Sequence, residues 1–131
     1  MSAKYDITAD YLIKSGFRPI HSGDDYDHSF TVERAGAPLV LTGAKIWFTI
    51  KEDLSESDAE ALLQYDSDDS AQIEITDGST GAFVIHLQAV DTETMTGTWP
   101  YDIQVKLDTG KIITIARGVI EFLPHVTQSR T

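Results

Sequence analysis

The sequence contains no cysteine. That absence excludes disulfide bonds, thiolate chemistry and zinc sites with cysteine ligands. The sequence also lacks any run of about 18 apolar residues, so we expect no transmembrane helix and no membrane partner. Residues 1–17 lack the basic-then-apolar order of a secretory signal peptide, and we expect no such signal there.

Basic residues are scarce. The chain has 10 Lys and Arg residues against 21 Asp and Glu residues, which gives a formal net charge of -11. A surface of that sign repels a phosphate backbone, so we expect no nucleic-acid partner. The same charge favours solubility, and it would also complement a basic surface on a partner protein.

Sequence motifs for catalysis are missing as well. There is no Gly-x-Ser-x-Gly nucleophile elbow and no glycine-rich phosphate loop. A carboxylate pair for glycoside hydrolysis stays open, because such pairs are assembled in space. We predict that the chain is not an enzyme and has neither a catalytic residue nor a cofactor. The four histidines lie far apart in sequence without metal-ligand spacing: His21, His28, His86 and His125.

Two acidic segments are the candidates for a metal site. Residues 23–28 hold three carboxylates and an imidazole, and oxygen ligands suit calcium or magnesium. Asp side chains in turns, however, commonly accept hydrogen bonds from nearby backbone N–H groups. Residues 66–69 are similar to the start of a calcium loop, but Ala71 and Asp77 stand where such a loop needs Gly and Glu. We therefore predict no metal site.

What the sequence does contain is a series of short segments with alternating apolar and polar residues. Turn residues such as Gly, Asp and Pro separate these segments, which favours about seven strands of an antiparallel β-sandwich. No β–α alternation indicates a parallel sheet. The last strand is expected to bend near Gly118. The predicted strands are residues 29–33, 39–41, 45–51, 72–75, 82–87, 97–107 and 112–122.

One inserted helix is predicted over residues 54–65, with Ala59, Leu62 and Leu63 as its apolar stripe and a solvated loop from Tyr65 onward. A single helical turn is predicted over residues 91–95, with Asp91 as its cap. At the N-terminus, Thr8 capping a short helix over residues 9–14 and a loosely ordered arm stay as alternatives. The expected organisation is an arm or short helix over 1–21, a β-sandwich domain over 22–127 and a frayed tail over 128–131.

The strand at residues 45–51 divides into two faces. Ile46, Phe48 and Ile50 are predicted to lie in the core, whereas Trp47 is predicted on the opposite face with Lys45 and Thr49. Four aromatic residues also raise the alternative of a sugar-stacking platform. We favour the core for two of them, Trp99 and Tyr101, because they share a period-2 face with Ile103, Val105 and Leu107; the four are Tyr26, Trp47, Trp99 and Tyr101.

Several segments, taken in order, have a recognisable pattern. A Gly-Asp pair at residues 23–24 precedes a strand, and a Leu-Thr-Gly turn at 41–43 leads into a central strand. Tyr101-Asp102-Ile103 lies in a later strand, followed by a Gly-containing hairpin at 110–111 and a Gly-Val-Ile strand at 118–120. This order, over residues 22–127, resembles the immunoglobulin-like N-terminal domain of phage baseplate upper proteins and related tail-associated proteins of tailed phages.

The resemblance implies an immunoglobulin-like fold and a non-catalytic structural protein of a phage or prophage particle, located in the virion and made in the cytoplasm of the bacterial host. It implies that the partners are other phage particle proteins, and it allows a homo-oligomer. An alternative function is a carbohydrate-binding β-sandwich that uses exposed aromatic residues such as Trp47. A third is a hydrolase whose carboxylates come together in space.

Overall fold

Strands with one apolar face make up most of the structure. The computed structural model describes residues 11–13, 19–53 and 60–124. One short helix, α1 (Ala89–Thr92), and a 3-10 turn (Gly78–Thr80) connect strands. The described residues form ten strands: β1 (Tyr11–Ile13), β2 (Ile20–His21), β3 (Tyr26–Arg34), β4 (Ala37–Pro38), β5 (Lys45–Ile50), β6 (Leu63–Asp66), β7 (Ile73–Asp77), β8 (Ala82–Leu87), β9 (Gly97–Lys106) and β10 (Ile112–Leu123).

The strands form two sheets. The first sheet has the order β1-β3-β8-β7, with the two-residue strand β4 also pairing with β3. The second sheet has the order β2-β10-β9-β5-β6. These correspond to the ABED and GFCC′ orders of an immunoglobulin sandwich. The predicted all-β, antiparallel, immunoglobulin-like fold is therefore confirmed, with β2 and β10 as a parallel pair.

Apolar side chains from the inner faces of both sheets form one core. Ile46, Phe48 and Ile50 are fully buried, as the alternation on β5 predicted. In the first sheet the rings of Phe30 and Phe83 stack with their centroids 5.1 Å apart. Antibody domains join their sheets with a disulfide, whereas apolar contacts do so in this cysteine-free chain.

The helix predicted over residues 54–65 is wrong at its C-terminal end. Leu63 and Tyr65 lie in β6, where Tyr65 pairs with Phe48 of β5. Both side chains point inward, with 6% and 2% of their surface exposed, and Gln64 between them points out. Burial of this period-2 face against β5 outweighs the local preference for helix. Residues 54–59 lie outside the described part of the chain.

The N-terminal segment also contains strand where a helix or a loose arm was expected. Residues Tyr11–Ile13 form β1 and pair antiparallel with residues 32–34 of β3. Ile20 of β2 is fully buried and pairs with Phe122 of β10. The two sheets therefore include strands β1 and β2, which precede residue 22, the expected start of the β-sandwich domain. The predicted cap Thr8 and the predicted tail at 128–131 lie outside the described residues.

Two strand predictions need correction. Residues 39–41 form no strand: Leu39 N–H donates to the carbonyl of Val32 in β3, whereas Leu41 N–H donates to that of Gly78 in the 3-10 turn, so the segment bonds to two separate elements. The last strand is irregular between Thr114 and Ala116, not at Gly118, which stays paired with Tyr101. The extra residue, Ile115, is itself fully buried, so this bulge places two adjacent residues, Ile115 and Ala116, against the core.

The predicted helical turn near Asp91 exists, but Asp91 does not cap it. Helix α1 begins at Ala89, and the side chain of its N-cap residue, Gln88, makes no capping hydrogen bond. Asp91 Oδ2 instead accepts a hydrogen bond of 2.5 Å from the hydroxyl of Tyr65. The carboxylate therefore ties α1 to the edge strand β6.

Gly81 occupies a position that no other residue fits. Its φ of +75° lies in the left-handed region, and a Cβ placed on it would lie 2.4 Å from the carbonyl oxygen of Val32. Its own carbonyl accepts a hydrogen bond of 3.0 Å from Val32 N–H. The turn between β7 and β8 therefore packs backbone to backbone against β3.

Candidate functional site: a groove on the second sheet

The outer face of the second sheet carries a groove of about 990 Å³. It lies across β6, β5, β9 and β10, and most of its residues come from the positions that alternate with the core. Its lining mixes aromatic, apolar, amide and charged groups: Trp47, Thr49, Lys51, Gln64, Pro100, Tyr101, Asp102, Gln104, Ile112, Arg117, Gly118 and Val119.

Strand register places the polar groups of the groove in rows. Thr49 lies opposite Gln64 of β6 on one side and opposite Asp102 of β9 on the other. Asp102 in turn lies opposite Arg117 of β10. Gln64 Nε2 donates to Thr49 Oγ1 at 3.1 Å, which holds that amide across the strands. This row runs across the groove and ends at the exposed guanidinium of Arg117.

Trp47 lies in the neighbouring row, between Asp66 and Gln104. Its side chain is half-buried and outward, as the sequence predicted. The Nζ atom of Lys45 lies 5.2 Å from the centre of the indole, in a cation–π contact, and 2.7 Å from Asp68 Oδ2. The hydrogen bond to Asp68 raises the pKa of Lys45, so the ammonium beside the indole stays charged.

Apolar side chains stand exposed in the lining of the groove. Ile112 and Val119, both on β10, have 60% and 66% of their surface exposed. Val119 lies opposite Pro100 of β9. These two exposed aliphatic side chains add apolar area to a groove that also contains half-buried Trp47.

The four aromatic residues do not form one platform. Trp99 and Tyr101 are partly buried against the core, as the sequence favoured, and the Tyr101 ring lies 5.8 Å from that of Phe48. Burial raises the pKa of the Tyr101 hydroxyl. Tyr26 belongs to the first sheet and stacks on His28 at 4.6 Å. Trp47 and one side of Tyr101 therefore supply the aromatic surface of the groove.

The acidic segments form hydrogen bonds within the fold. Asp25 Oδ1 accepts from Ala89 N–H at 2.7 Å, and Asp66 Oδ1 accepts from Asp68 N–H at 2.9 Å. Asp69 Oδ1 accepts from Ala71 N–H at 2.9 Å. Within the described residues there is no cluster of three or more His, Asp or Glu residues arranged to hold a metal ion.

A second polar feature lies on the outer face of the first sheet. His86 of β8 stands between Asp27 of β3 and Glu74 of β7, with Nδ1 2.7 Å from Asp27 Oδ1 and Nε2 3.2 Å from Glu74 Oε1. Ionised carboxylates only accept hydrogen bonds, so both contacts require the doubly protonated imidazolium. The hydrogen bond to Asp27, more than that to Glu74, raises the pKa of His86.

Sequence reasoning placed Trp47 and Thr49 on the outward face and named Tyr101 as a candidate, but it did not predict the groove as a whole and it missed the His86 cluster. The available signal was the alternation that puts Gln64, Gln104 and Arg117 on outward positions. That signal is local, and it does not say which strands lie side by side. The groove depends on pairing between β5, β6, β9 and β10 across long stretches of sequence.

Comparisons with known proteins reveal likeness in fold. No family model and no curated protein match the chain. The soluble domain of PmoD from Methylocystis sp. is similar at 14% identity with a TM-score of 0.50, over 88% of this chain and 94% of that one. A polysaccharide deacetylase from Bacillus cereus is similar at 13% identity with a TM-score of 0.47, over 86% of this chain.

This chain spans 30% of the length of that deacetylase. AggA, the major subunit of aggregative adherence fimbriae type I from Escherichia coli, matches at 12% identity with a TM-score of 0.36, over 92% of this chain and 99% of that one. At these identities the likeness concerns the fold alone. Across the described residues, no helix has the length and apolar character needed to cross a membrane.

Proposed function

We propose that the chain is a non-catalytic structural protein of a phage or prophage particle, associated with the tail or baseplate, and that it acts through protein–protein contacts. In this proposal it works in the virion with other phage particle proteins as its partners. The observation that carries the proposal is the groove on the outer face of the second sheet.

The composition of that groove supports a protein partner. Trp, Tyr and Arg are enriched at the centres of protein–protein interfaces, where they provide most of the binding energy. Trp47, Tyr101 and Arg117 all line the groove, and exposed Ile112 and Val119 add apolar area. When a partner covers such a surface, the removal of its apolar area from water lowers the free energy.

The segments that resemble phage baseplate proteins also build the groove. The turn at Thr42 and Gly43 leads into β5, which carries Trp47. Tyr101 and Asp102 lie in β9, and residues 117–119 lie in β10. The resemblance and the groove therefore rest on the same strands.

Analysis of purified particles tests this proposal. A tagged copy is expressed in the strain that carries the gene, particles are induced and purified, and the tag is located by immunogold electron microscopy. We expect label at the tail end of particles. Replacing Trp47 and Arg117 with Ala should reduce incorporation, whereas Val90→Ala, at an exposed site on α1, should leave it unchanged. Absence of the chain from particles and from assembly intermediates would overturn the proposal.

A carbohydrate-binding module is the second candidate, and the accessible position of Trp47 favours it. The indole lies near the amides of Gln64 and Gln104, which suit hydroxyl groups of a sugar. Lys45 occupies space near the ring, however, and a stacked sugar must displace it. A glycan array decides this candidate: Trp47-dependent hits would support it, and no hits would exclude it for the sugars tested.

A further inference from the structure

The outer faces of the two sheets differ in charge. The second sheet presents four of the chain's ten Lys and Arg residues on or directly after its outward positions. Three carboxylates share that face, on Asp66, Asp102 and Glu121, and a fourth, on Asp68 in the turn after β6, pairs with Lys45 Nζ at 2.7 Å. In a chain with a net charge of -11 this face is therefore close to neutral and less acidic than the chain as a whole. Its basic residues are Lys45, Lys51, Lys106 and Arg117.

The outer face of the first sheet is acidic. The outward positions of β3, β7 and β8 carry Asp27, Glu33 and Glu74, with no Lys or Arg among them. His86 is the one titratable cation on these three strands' outward positions, and it is held between Asp27 and Glu74. Val84, opposite Ser29, gives the centre of this face an apolar character.

We propose that the groove of one copy receives the acidic outer face of the first sheet of a second copy. Arg117 and Lys51 then face carboxylates, and the apolar lining of the groove covers Val84. This proposal names the partner of the groove, so it deepens the assembly role proposed above and rests on it. At physiological ionic strength the Debye length is about 8 Å, so repulsion between exposed charges of the two acidic molecules that lie farther apart than this is largely screened.

The two surfaces are different, and this determines the form of the assembly. Each copy keeps one unused groove or one unused acidic face after pairing, so further copies can add. Head-to-tail contacts of this kind close into rings or extend into filaments. Either outcome gives species larger than a dimer.

Two variants remove one surface each. Arg117→Glu reverses the charge of the groove, and Ser29→Lys places a cation on the acidic face without touching the His86 contacts. Both positions are exposed, and circular dichroism checks that each variant is folded. In sedimentation velocity at physiological salt, we expect concentration-dependent association of the wild type and at least about tenfold weaker association of each variant.

Mixing the two variants gives the decisive result. Arg117→Glu retains its acidic face and Ser29→Lys retains its groove, so an equimolar mixture should form a heterodimer and stop there. Arg117→Lys and Ser29→Asp keep the charge signs and should associate like the wild type. Lys111→Glu, in a hairpin turn outside the groove lining, controls for net charge and should also associate.

Three results would overturn the proposal. The first is a wild type that sediments as a monomer up to its solubility limit. The second is loss of association in Arg117→Glu but not in Ser29→Lys, which would indicate groove-to-groove pairing. The third is a mixture of the two variants that does not associate. Because these measurements use the purified chain, they are separate from its presence in particles, and each proposal can fail without the other measurement being affected.

Discussion

At the residue scale, His86 joins three strands of the first sheet through two carboxylates. Nδ1 and Nε2 each face an acceptor, so the neutral ring satisfies one contact and leaves the other as two facing lone pairs. The side chain is 27% exposed, and its partners Asp27 and Glu74 are 72% and 51% exposed. Solvent therefore weakens the contacts but leaves them dependent on the charge of His86.

The stability that His86 provides should decrease as pH rises. Its pKa is raised in the folded state above the ordinary value of 6.5. The contribution is therefore complete below pH about 6.5 and disappears as pH passes through the raised folded value. Urea midpoints of the wild type and His86→Gln, compared between pH about 5 and about 9, should differ most at the acidic end. A difference that is constant or grows with pH would contradict the charged bridge.

Tyr65 makes a second side-chain link, between β6 and α1. Its hydroxyl donates to Asp91 and accepts from Gln88 N–H at 3.2 Å, and the residue is 2% exposed. Burial, together with the Asp91 hydrogen bond, raises the pKa of the hydroxyl well above its usual range, so it remains a donor.

Tyr65→Phe should lower the free energy of unfolding by about 1–2 kcal/mol, because it leaves the Asp91 carboxylate and the Gln88 N–H without this partner. Chemical denaturation measures the change. Tyr26→Phe is the matched control, since its ring stacks on His28 and no hydrogen bond of its hydroxyl occurs within the described residues. Equal effects of the two substitutions would show that the Tyr65 hydroxyl contributes nothing specific.

At the element scale, the turn between β7 and β8 restricts which residues can replace Gly81. Gly81→Ala should destabilise the protein by more than about 2 kcal/mol, because strain at positive φ adds to a collision with the Val32 carbonyl. Gly36→Ala separates the two causes, since Gly36 has φ of +84° and nothing lies within 4 Å of the added Cβ. That control should cost about 1 kcal/mol in urea unfolding. Equal losses would mean that β3 moves aside for the methyl group.

Alternation along single strands made the core predictable, because it depends on neighbouring residues alone. Ile46, Phe48 and Ile50 were expected on one face and are all buried. Leu63 and Tyr65 could not be assigned in this way, because their segment is also compatible with helix. Pairing with β5 favours the strand, and there Tyr65 pairs with Phe48, which lies 17 residues away in sequence.

The groove was less predictable than the core, because it depends on which strands lie side by side and not on alternation within one strand. The outward position of Trp47 follows from alternation within β5. Its neighbours Asp66 and Gln104 follow from strand register, which joins segments distant in sequence. The sequence around Arg117 predicts a strand, but not that this side chain shares a groove with Trp47.

At the scale of the whole molecule, the two faces of the second sheet differ in what they contribute to folding, because the inner face is buried and the outer face is exposed to water. The inner face packs against the first sheet without the help of a disulfide, so stability depends on apolar burial. Domains of this size are stable by about 5–15 kcal/mol, and the loss of one large core side chain is a substantial part of that. The outer face carries Ile112 and Val119 in water, where they add little to folding.

This separation predicts opposite outcomes for two truncations on the same sheet. Phe48→Ala, at a fully buried site between Tyr65 and Tyr101, should lower the free energy of unfolding by about 3–5 kcal/mol. Ile112→Ala, at a site 60% exposed, should change it by less than about 0.5 kcal/mol. Thermal and urea unfolding measure both. If the groove binds a partner, Ile112→Ala should weaken that association while leaving the free energy of unfolding almost unchanged. A large loss of stability in Ile112→Ala would contradict the prediction, because it would show that Ile112 contributes to the core.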